Sequence, residues 1–283
     1  MSIVEYQEGN ILYEKIDRFA RITINRPESL NAINQTVLRG LYEAFGEAEN
    51  DDDVRSVIFT GAGRAFSAGG DLNEIAERRK SGEEEAAPDP NDVEASEVYL
   101  RIWDLSKPVI AAIPGHAVGQ GCEIAAICDF TIASEKAKIG EIQIRHGFGT
   151  PVLITPYLMT PKQAKEVLLT GDILDVHEAQ RLGLVNKVVP HEKLQEEAEA
   201  LARKIADLPR DAVKQGKARI NRSYEIRGIL ASINHTSDPS FADLAEEGIR
   251  DEDEGAARLN VIQERGWEAF IRERDRMYRD KTE

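Results

Sequence analysis

Cysteine is almost absent from this 283-residue sequence, and long hydrophobic runs are missing altogether. The two cysteines, Cys122 and Cys128, lie six residues apart among small apolar residues, which favours buried free thiols over a disulfide framework or a metal site. No run reaches the about 18 apolar residues that a membrane-spanning helix needs. The N-terminal residues "MSIVEYQEGN" lack the basic and apolar regions of a signal peptide. We therefore expect a cytoplasmic protein without a membrane partner.

Positive charge is also scarce. The chain carries 36 Lys+Arg against 51 Asp+Glu, for a net charge of −15. An acidic surface argues against nucleic acid and anionic membranes as partners, because both are bound through Lys and Arg that neutralise phosphate groups. A small anionic ligand can still bind at a local positive patch.

The usual signatures of metal and nucleotide sites are missing as well. The sequence contains no HExxH or CxxC motif and no acidic cluster that calls for a metal. It has no GxGxxG after the first strand and no GxxxxGK[ST] motif, which argues against a dinucleotide or nucleoside triphosphate site. No metal and no separate cofactor are predicted.

What is present is an alternation of strands and helices. The short β-branched runs "ARITIN", "VRSVIFTG", "KPVIAAIPG" and "DFTIAS" are each followed by turn residues. After the first run, Val37, Leu38, Leu41 and Phe45 recur at helical spacing. This pattern predicts an α/β fold with its sites at strand ends.

Two segments depart from that alternation. Residues 78–91, "RRKSGEEEAAPDPN", have no apolar periodicity and are predicted to form a mobile surface loop. From about Glu192 onward the chain is predicted to be helical and charged. Its apolar residues Trp267, Phe270 and Ile271 need a core or a neighbouring subunit to cover them.

Two glycine-bearing turns follow different strands and are the first indication of chemistry. "GRAFSAGGDL" follows "VRSVIFT", and "GHAVGQGCE" follows "PVIAAIP". Glycine lets backbone N–H groups approach a ligand closely, and two such loops side by side can supply two N–H donors to one oxygen. That arrangement is an oxyanion hole, in which one donor contributes about 2.7–4 kcal/mol of transition-state stabilisation. Each loop alone is also compatible with an ordinary strand-to-helix turn.

Three longer stretches carry a specific resemblance. "AFSAGGDL" at 65–72, "KPVIAAIPGHAVGQGCEIAAICDFTIAS" at 107–134 and "LLTGDILDVHEAQRLGLVNKVVP" at 168–190 resemble the signature stretches of the enoyl-CoA hydratase/isomerase family, the crotonases, in order and spacing. The resemblance implies a crotonase-like spiral of ββα repeats over 1–205. It also implies a C-terminal α-helical region, 206–283, that assembles a homotrimer or a homohexamer built as a dimer of trimers.

The resemblance further implies an acyl-CoA thioester as the ligand, with coenzyme A as part of the substrate. Its thioester oxygen would be held by the backbone N–H groups of Gly70 and Gln120. The family usually has glycine at the second position, but glutamine keeps the backbone donor. Ala65 and Ala68 would leave room for the adenine end of coenzyme A. Arg64 is a candidate phosphate contact, although a solvated loop arginine is the simpler interpretation.

Glu123 matches the first of two glutamates that flank the substrate in family hydratases, one moving the α-carbon proton and the other activating water. Taken alone, a glutamate in this position can simply stabilise the first turn of a helix through its dipole or a capping hydrogen bond. The partner loop "SAGGD" favours the catalytic interpretation, because it gives the helix end an oxyanion to hold.

The second glutamate is where the sequence departs from the family. In "IGEIQIRHG", an ungapped alignment puts Gln143 where that glutamate belongs, whereas a two-residue gap brings Glu141 into register. We favour the ungapped alignment, because it keeps the family's spacing to Gly147. An amide cannot take a proton from water, but it can orient one. His146 could serve as a neutral acid/base in the acyl pocket, although a packed or solvated histidine is the simpler interpretation.

The expected function is hydration of a 2-enoyl-CoA, with the enolate held in the oxyanion hole and a proton moved by Glu123. Because the second glutamate is missing in the favoured alignment, an isomerase, a C–C hydrolase or a decarboxylase that needs one carboxylate remains an alternative. A non-catalytic acyl-CoA binder is the alternative from another functional class. A purely structural assembly protein would not need both glycine loops. The sequence does not indicate the acyl group.

Overall fold

The computed structural model describes residues 3–81, 91–147, 152–235, 238–241, 260–262 and 264–279. The strands are β1 (Ile3–Tyr6), β2 (Ile11–Ile16), β3 (Phe19–Ile24), β4 (Ser56–Gly61), β5 (Ala65–Ser67), β6 (Val109–Ile113), β7 (His116–Val118), β8 (Phe130–Ser134), β9 (Lys138–Gly140), β10 (Leu174–Asp175) and β11 (Lys187–Val189). The helices are α1 (Gln35–Asn50), α2 (Leu72–Ser81), α3 (Ala95–Asp104), α4 (Gln120–Ala126), α5 (Pro161–Thr170), α6 (Val176–Leu182), α7 (Leu194–Ala206), α8 (Arg210–Glu225), α9 (Ile229–Ile233), α10 (Trp267–Arg274) and α11 (Arg276–Arg279).

The strands form two sheets. The larger has the order β1-β2-β3-β4-β6-β8-β11, antiparallel as far as β3 and parallel beyond it. The smaller has the order β10-β9-β7-β5 and is parallel except at β10. Successive strand pairs put one strand in each sheet, as β4 and β5, β6 and β7, and β8 and β9 do. This is the ββα spiral that the sequence resemblance implied, and the α/β prediction is confirmed.

Helix α1 shows why the apolar spacing was informative. Val37, Leu38, Leu41 and Phe45 are all buried, so the predicted stripe is the face that packs on the core. The helix starts where the Asn34 side chain accepts a hydrogen bond from the Val37 N–H at 3.0 Å, which satisfies one of the otherwise unpaired amides of the first turn.

The larger sheet is covered on both faces. Residues alternate along each strand, so that Val57 and Phe59 of β4 face the main apolar cluster, whereas Ile58 faces a second one. The second cluster is closed by α7 through Ala198 and Ala202. A strand with two buried faces reads as a continuous apolar run, as "VIAAI" of β6 does.

Other expectations about the chain have mixed outcomes. The loop prediction for 78–91 is wrong for its first four residues, because α2 runs to Ser81; residues 82–90 lie outside the described part. Glu, Arg and Lys are good helix formers and can extend a capped helix without an apolar stripe. Cys122 and Cys128 are free thiols as predicted. No helix in the described ranges is long and apolar enough to cross a membrane.

Candidate active site

The two glycine loops lie against each other. Strands β5 and β7 are parallel neighbours with Ala65 opposite His116, so the loops that follow them leave the small sheet side by side. Gly69 has a φ of +89°, and a Cβ on it would lie 2.8 Å from the Val118 carbonyl oxygen and 3.4 Å from the Gln120 amide nitrogen. Contact this close requires glycine at position 69.

Each loop carries an unpaired backbone donor. The bridge between Ile33 and Gly70 uses the N–H groups of Ile33 and Asp71, which donate to Gly69 and Ile33 carbonyl oxygens, and leaves the Gly70 N–H out. Gln120 is the first residue of α4, where a helix leaves its N–H groups unpaired. Within the described part of the chain, neither N–H donates a hydrogen bond. Both are therefore open to a ligand oxygen.

Side chains that the sequence analysis did not single out support the first loop. The Ser67 hydroxyl donates to the Asn31 carbonyl oxygen at 2.8 Å and accepts from the Gly69 N–H at 3.1 Å. The Asn31 amide donates to the carbonyl oxygens of Ala62 and Ala65. These bonds hold the backbone on both sides of β5.

Glu123 is fully buried in the first turn of α4, and its partners are not those of a capping glutamate. The N–H of the N-cap residue Gly119, which a capping side chain would satisfy, donates instead to the Gly140 carbonyl oxygen at 2.9 Å. Glu123 Oε2 instead accepts from the Tyr99 hydroxyl at 3.1 Å, and Oε1 accepts from Gln143 Nε2 at 2.8 Å. The carboxylate therefore points into a polar cluster and does not cap its own helix.

Both candidates for the second position join this cluster. Gln143 Nε2 donates to Glu123 and also to Glu141 Oε2, at 3.0 Å. Glu141 is 1% exposed, and its other oxygen accepts from the Thr155 hydroxyl at 2.8 Å. The two carboxyls are thus linked by a single amide nitrogen. The alternatives that the sequence left open occupy one site together.

Burial dominates the protonation of the two carboxyls. Desolvation raises the pKa of Glu123 well above its usual value, and the nearby charge of Glu141 raises it further, against hydrogen bonds from Tyr99, Val152 and Gln143. Desolvation also raises the pKa of Glu141, to about 7, against hydrogen bonds from Thr155, Gln143 and Cys122. Two carboxyls this close cannot both ionise readily, so burial and mutual repulsion favour a shared proton on the pair.

Tyr99 and Thr155 are site residues that the sequence analysis missed. Tyr99 lies on α3 next to Val98, which belongs to the apolar stripe of that helix, and is 1% exposed. Desolvation and the adjacent Glu123 raise the pKa of Tyr99, so it stays a neutral hydrogen-bond donor. The apolar periodicity of α3 indicates that its face is buried, but it does not indicate that Tyr99 contacts Glu123.

One polar atom of the cluster lacks a partner. Gln143 Oε1 is buried and has no hydrogen bond to the described residues. The amide carbon of Gln143 lies 3.8 Å from the position of a Cβ on Gly119, the residue before Gln120. A buried acceptor without a donor costs about 1–3 kcal/mol. This oxygen is therefore suited to a water or a ligand hydroxyl beside the second glycine loop.

The remaining predicted site residues are Ala65, Ala68, Arg64 and His146. Ala65 is buried, Ala68 is half-buried and Arg64 is exposed on the turn before β5. The His146 ring stacks on Phe270 with 5.6 Å between ring centroids and 5° between planes, and it is not among the hydrogen-bond partners found for Glu123 or Glu141. The structure thus brings Gly70, Gln120, Glu123, Glu141 and Gln143 together and places His146 against the C-terminal helix.

Two further titratable side chains lie beside the glycine loops. Asp71 caps α2, since its Oδ1 accepts from the Glu74 N–H at 3.4 Å. Desolvation and then the charges of Arg64 and Lys138 lower the pKa of His116, so positive charge gathers near the start of β5, β7 and β9. Among the described residues, no group of three His, Cys, Asp or Glu side chains could hold a metal ion.

Comparisons with known proteins agree with this architecture. The family model described as enoyl-CoA hydratase/isomerase matches residues 14–249. The short-chain-enoyl-CoA hydratase of Clostridium acetobutylicum is 39% identical over 227 residues, which cover 77% of this chain and 83% of that protein. The crotonyl-CoA hydratase of Syntrophomonas wolfei is 36% identical over 226 residues, covering 76% and 83%.

A solved structure gives a similar result. The crystal structure of an enoyl-CoA hydratase/isomerase from Xanthobacter autotrophicus Py2 superposes with a TM-score of 0.83 at 34% sequence identity. The match covers 95% of this chain and 98% of that one.

Proposed function

This chain belongs to the enoyl-CoA hydratase/isomerase family, whose members are enzymes, and on that premise we propose that it hydrates a short-chain 2-enoyl-CoA. The main support is the pair of buried carboxyls, Glu123 and Glu141, joined by Gln143. The pair would supply the two acid/base groups that hydration needs, with Glu141 taking the part of the second glutamate. The names of the two hydratases above support a short acyl chain.

The thioester oxygen would bind between the Gly70 and Gln120 N–H groups. Both donors are unpaired, and the loops that carry them are in contact. As negative charge moves onto this oxygen in the enolate, the two N–H groups and the positive end of α4 stabilise it. Each donor contributes about 2.7–4 kcal/mol in such sites.

We assign the shared proton to Glu123, whose pKa is raised both by burial and by the charge of Glu141. Glu141, with a pKa of about 7, is ionised often enough at neutral pH to take a proton from water. The water oxygen bonds to the β-carbon, and the π electrons of the double bond shift onto the thioester oxygen. Glu123, which retains its proton, then protonates the α-carbon and gives a 3-hydroxyacyl-CoA. Return of the proton from Glu141 to Glu123 completes the cycle.

Gln143 would orient the water and does not itself exchange a proton. Its N–H groups hold the two carboxyls, and its unpartnered Oε1 accepts a hydrogen bond from water. We infer no catalytic step for His146, which contacts Phe270. Around the coenzyme, Ala65 and Ala68 would leave room for the adenine, and Arg64 would contact a phosphate. The enzyme would act in the cytoplasm as a homotrimer or a dimer of trimers, with no separate cofactor.

A panel of acyl-CoA esters, read by mass spectrometry with chromatography, tests this function. We expect a short-chain 2-enoyl-CoA to gain one water. A product of unchanged mass but different retention indicates isomerisation, and a loss of mass indicates C–C cleavage or decarboxylation. Binding without turnover of any ester indicates a non-catalytic acyl-CoA binder. Any of these three results in place of hydration would overturn the proposal.

A further inference from the structure

The four-residue 3₁₀ turn Gln143–His146 sends its side chains to two places. Gln143 reaches the two buried carboxyls. Arg145 and His146, only 7% and 6% exposed, turn the other way and contact the C-terminal helices α10 and α11. The active-site amide and the C-terminal helices are thus attached to the same short turn.

Arg145 is the stronger of the two attachments. Its Nε donates to the Gly171 carbonyl oxygen at 2.6 Å, and its Nη1 donates to Asp275 Oδ1 at 3.2 Å. The guanidinium also lies 3.5 Å from the centre of the Tyr278 ring, and the Tyr278 hydroxyl donates to the Thr170 carbonyl oxygen. A buried guanidinium needs such partners, because removal of one leaves a desolvated charge.

Asp275 is itself held in place. Arg274 donates two hydrogen bonds of 2.7 Å to its two carboxylate oxygens. The same Arg274 donates to His146 Nε2 at 3.4 Å, beside the stack of His146 on Phe270. Asp275 is therefore linked to Arg145 directly and to His146 through Arg274.

A shift of the turn would change the position of Gln143 relative to the two carboxyls. Gly147 closes the turn by donating its N–H to the carbonyl oxygens of Gln143 and Ile144, so Arg145 and Gln143 are two positions of one hydrogen-bonded unit. Gly171, on the other side of Arg145, leaves little slack, because a Cβ there would lie 2.9 Å from Ile144 Cγ2. A displacement of about 1 Å in a catalytic group can cost 10²-fold in rate.

We propose that Asp275 is a positioning residue for the reaction: through Arg145 it holds the turn that carries Gln143 between Glu123 and Glu141. The expected effect on kcat rests on the proposed function. The expected position of Gln143 between the two carboxyls does not. If the Arg145–Asp275 pair only fastens the C-terminal helices, its loss lowers stability and leaves the turn and the turnover number unchanged.

The test compares Asp275→Asn with two controls. Asp275→Glu keeps the carboxylate and should restore most of the activity. Glu273→Gln, two residues before Asp275, removes an exposed ion pair with Arg265 and should behave as wild type. For Asp275→Asn we expect kcat to fall about 10-fold with KM within about 2-fold, since orientation of the reacting groups is affected more than binding.

Crystal structures of the same variants give a readout that does not depend on activity. In Asp275→Asn, Gln143 Nε2 should move away from at least one of Glu123 and Glu141, and in Glu273→Gln it should not. Unchanged distances overturn the inference, whether or not the wild type hydrates any ester. If wild type hydrates no ester, the proposed function fails separately. Should Asp275→Asn not fold, Phe270→Leu, which removes the His146 stack, is expected to displace the same turn.

Discussion

Gln143 Nε2 lies 2.8 Å from Glu123 Oε1 and donates a hydrogen bond to it. The same nitrogen donates to Glu141 Oε2 at 3.0 Å, so one amide group joins the two buried acids.

Replacement of Gln143 by Leu should raise the pKa values of both acids. The amide's hydrogen bonds lower both values at present, and Leu has a similar size but no donor. We expect kcat to fall about 10²-fold, the lower end of what acid/base groups contribute, and the acidic limb of its pH profile to move to higher pH. Gln195→Leu, on the surface of α7, is the control. A profile that stays where it is in wild type would argue against the bridging role.

Tyr99→Phe isolates a single hydrogen bond to Glu123. Since that bond lowers the pKa of Glu123, its removal should make Glu123 a weaker acid and slow α-carbon protonation, with kcat down about 10-fold for a bond of about 1.4 kcal/mol. Tyr13→Phe is the matched control, because Tyr13 is also buried and its hydroxyl has no partner among the described residues. Equal effects of the two changes on kcat would contradict the assignment.

Glu141 should also make stability depend on pH. Its pKa rises from 4.5 to about 7 on folding, so the folded protein binds a proton that the unfolded chain releases. The corresponding stability is fully present below pH 4.5 and is lost as pH rises through about 7. The loss amounts to about 3 kcal/mol. Denaturant unfolding measured across this pH range should show that the free energy of unfolding falls less for Glu141→Gln than for wild type. An equal dependence of that free energy on pH in the two proteins would contradict the raised pKa.

Gly69→Ala should disrupt the contact between the two glycine loops. The added Cβ would lie 2.8 Å from the Val118 carbonyl oxygen, on a backbone with a φ of +89°, and would push apart the loops that carry the Gly70 and Gln120 donors. We expect about 10²-fold loss of kcat. Gly216→Ala on α8, where a Cβ meets nothing within 4 Å, should keep full activity. Full activity in Gly69→Ala would mean that the loops do not jointly hold the thioester.

The sequence was sufficient for the features that depend on local pattern. The spacing of Val37, Leu38, Leu41 and Phe45 predicted α1, because an amphipathic helix repeats its buried face every 3.6 residues. The glycine loops were recognisable because glycine tolerates backbone contacts too close for other residues, and Glu123 was identified through the family resemblance of the stretch that contains it.

The features that the sequence did not reveal depend on contacts between distant segments. Tyr99 lies 24 residues before Glu123, and nothing in its helical stripe specifies an acid as its neighbour. The choice between Glu141 and Gln143 was posed as one of alignment, which admits a single residue at the second position. In the structure the side chains of Glu141 and Gln143 both belong to the cluster around Glu123. The backbone path after β9 brings them there, and the sequence pattern does not specify that path.

The most direct test of the two-acid account is the turnover of Glu141→Gln on the short-chain 2-enoyl-CoA that wild type hydrates best. We expect kcat to fall by about 10²–10⁴-fold, the contribution of a general base, whereas Glu135→Gln, an exposed acid just after β8, keeps wild-type kcat. Hydration by Glu141→Gln at the wild-type rate would contradict the account, because Glu141 would then not be the group that takes the proton from water.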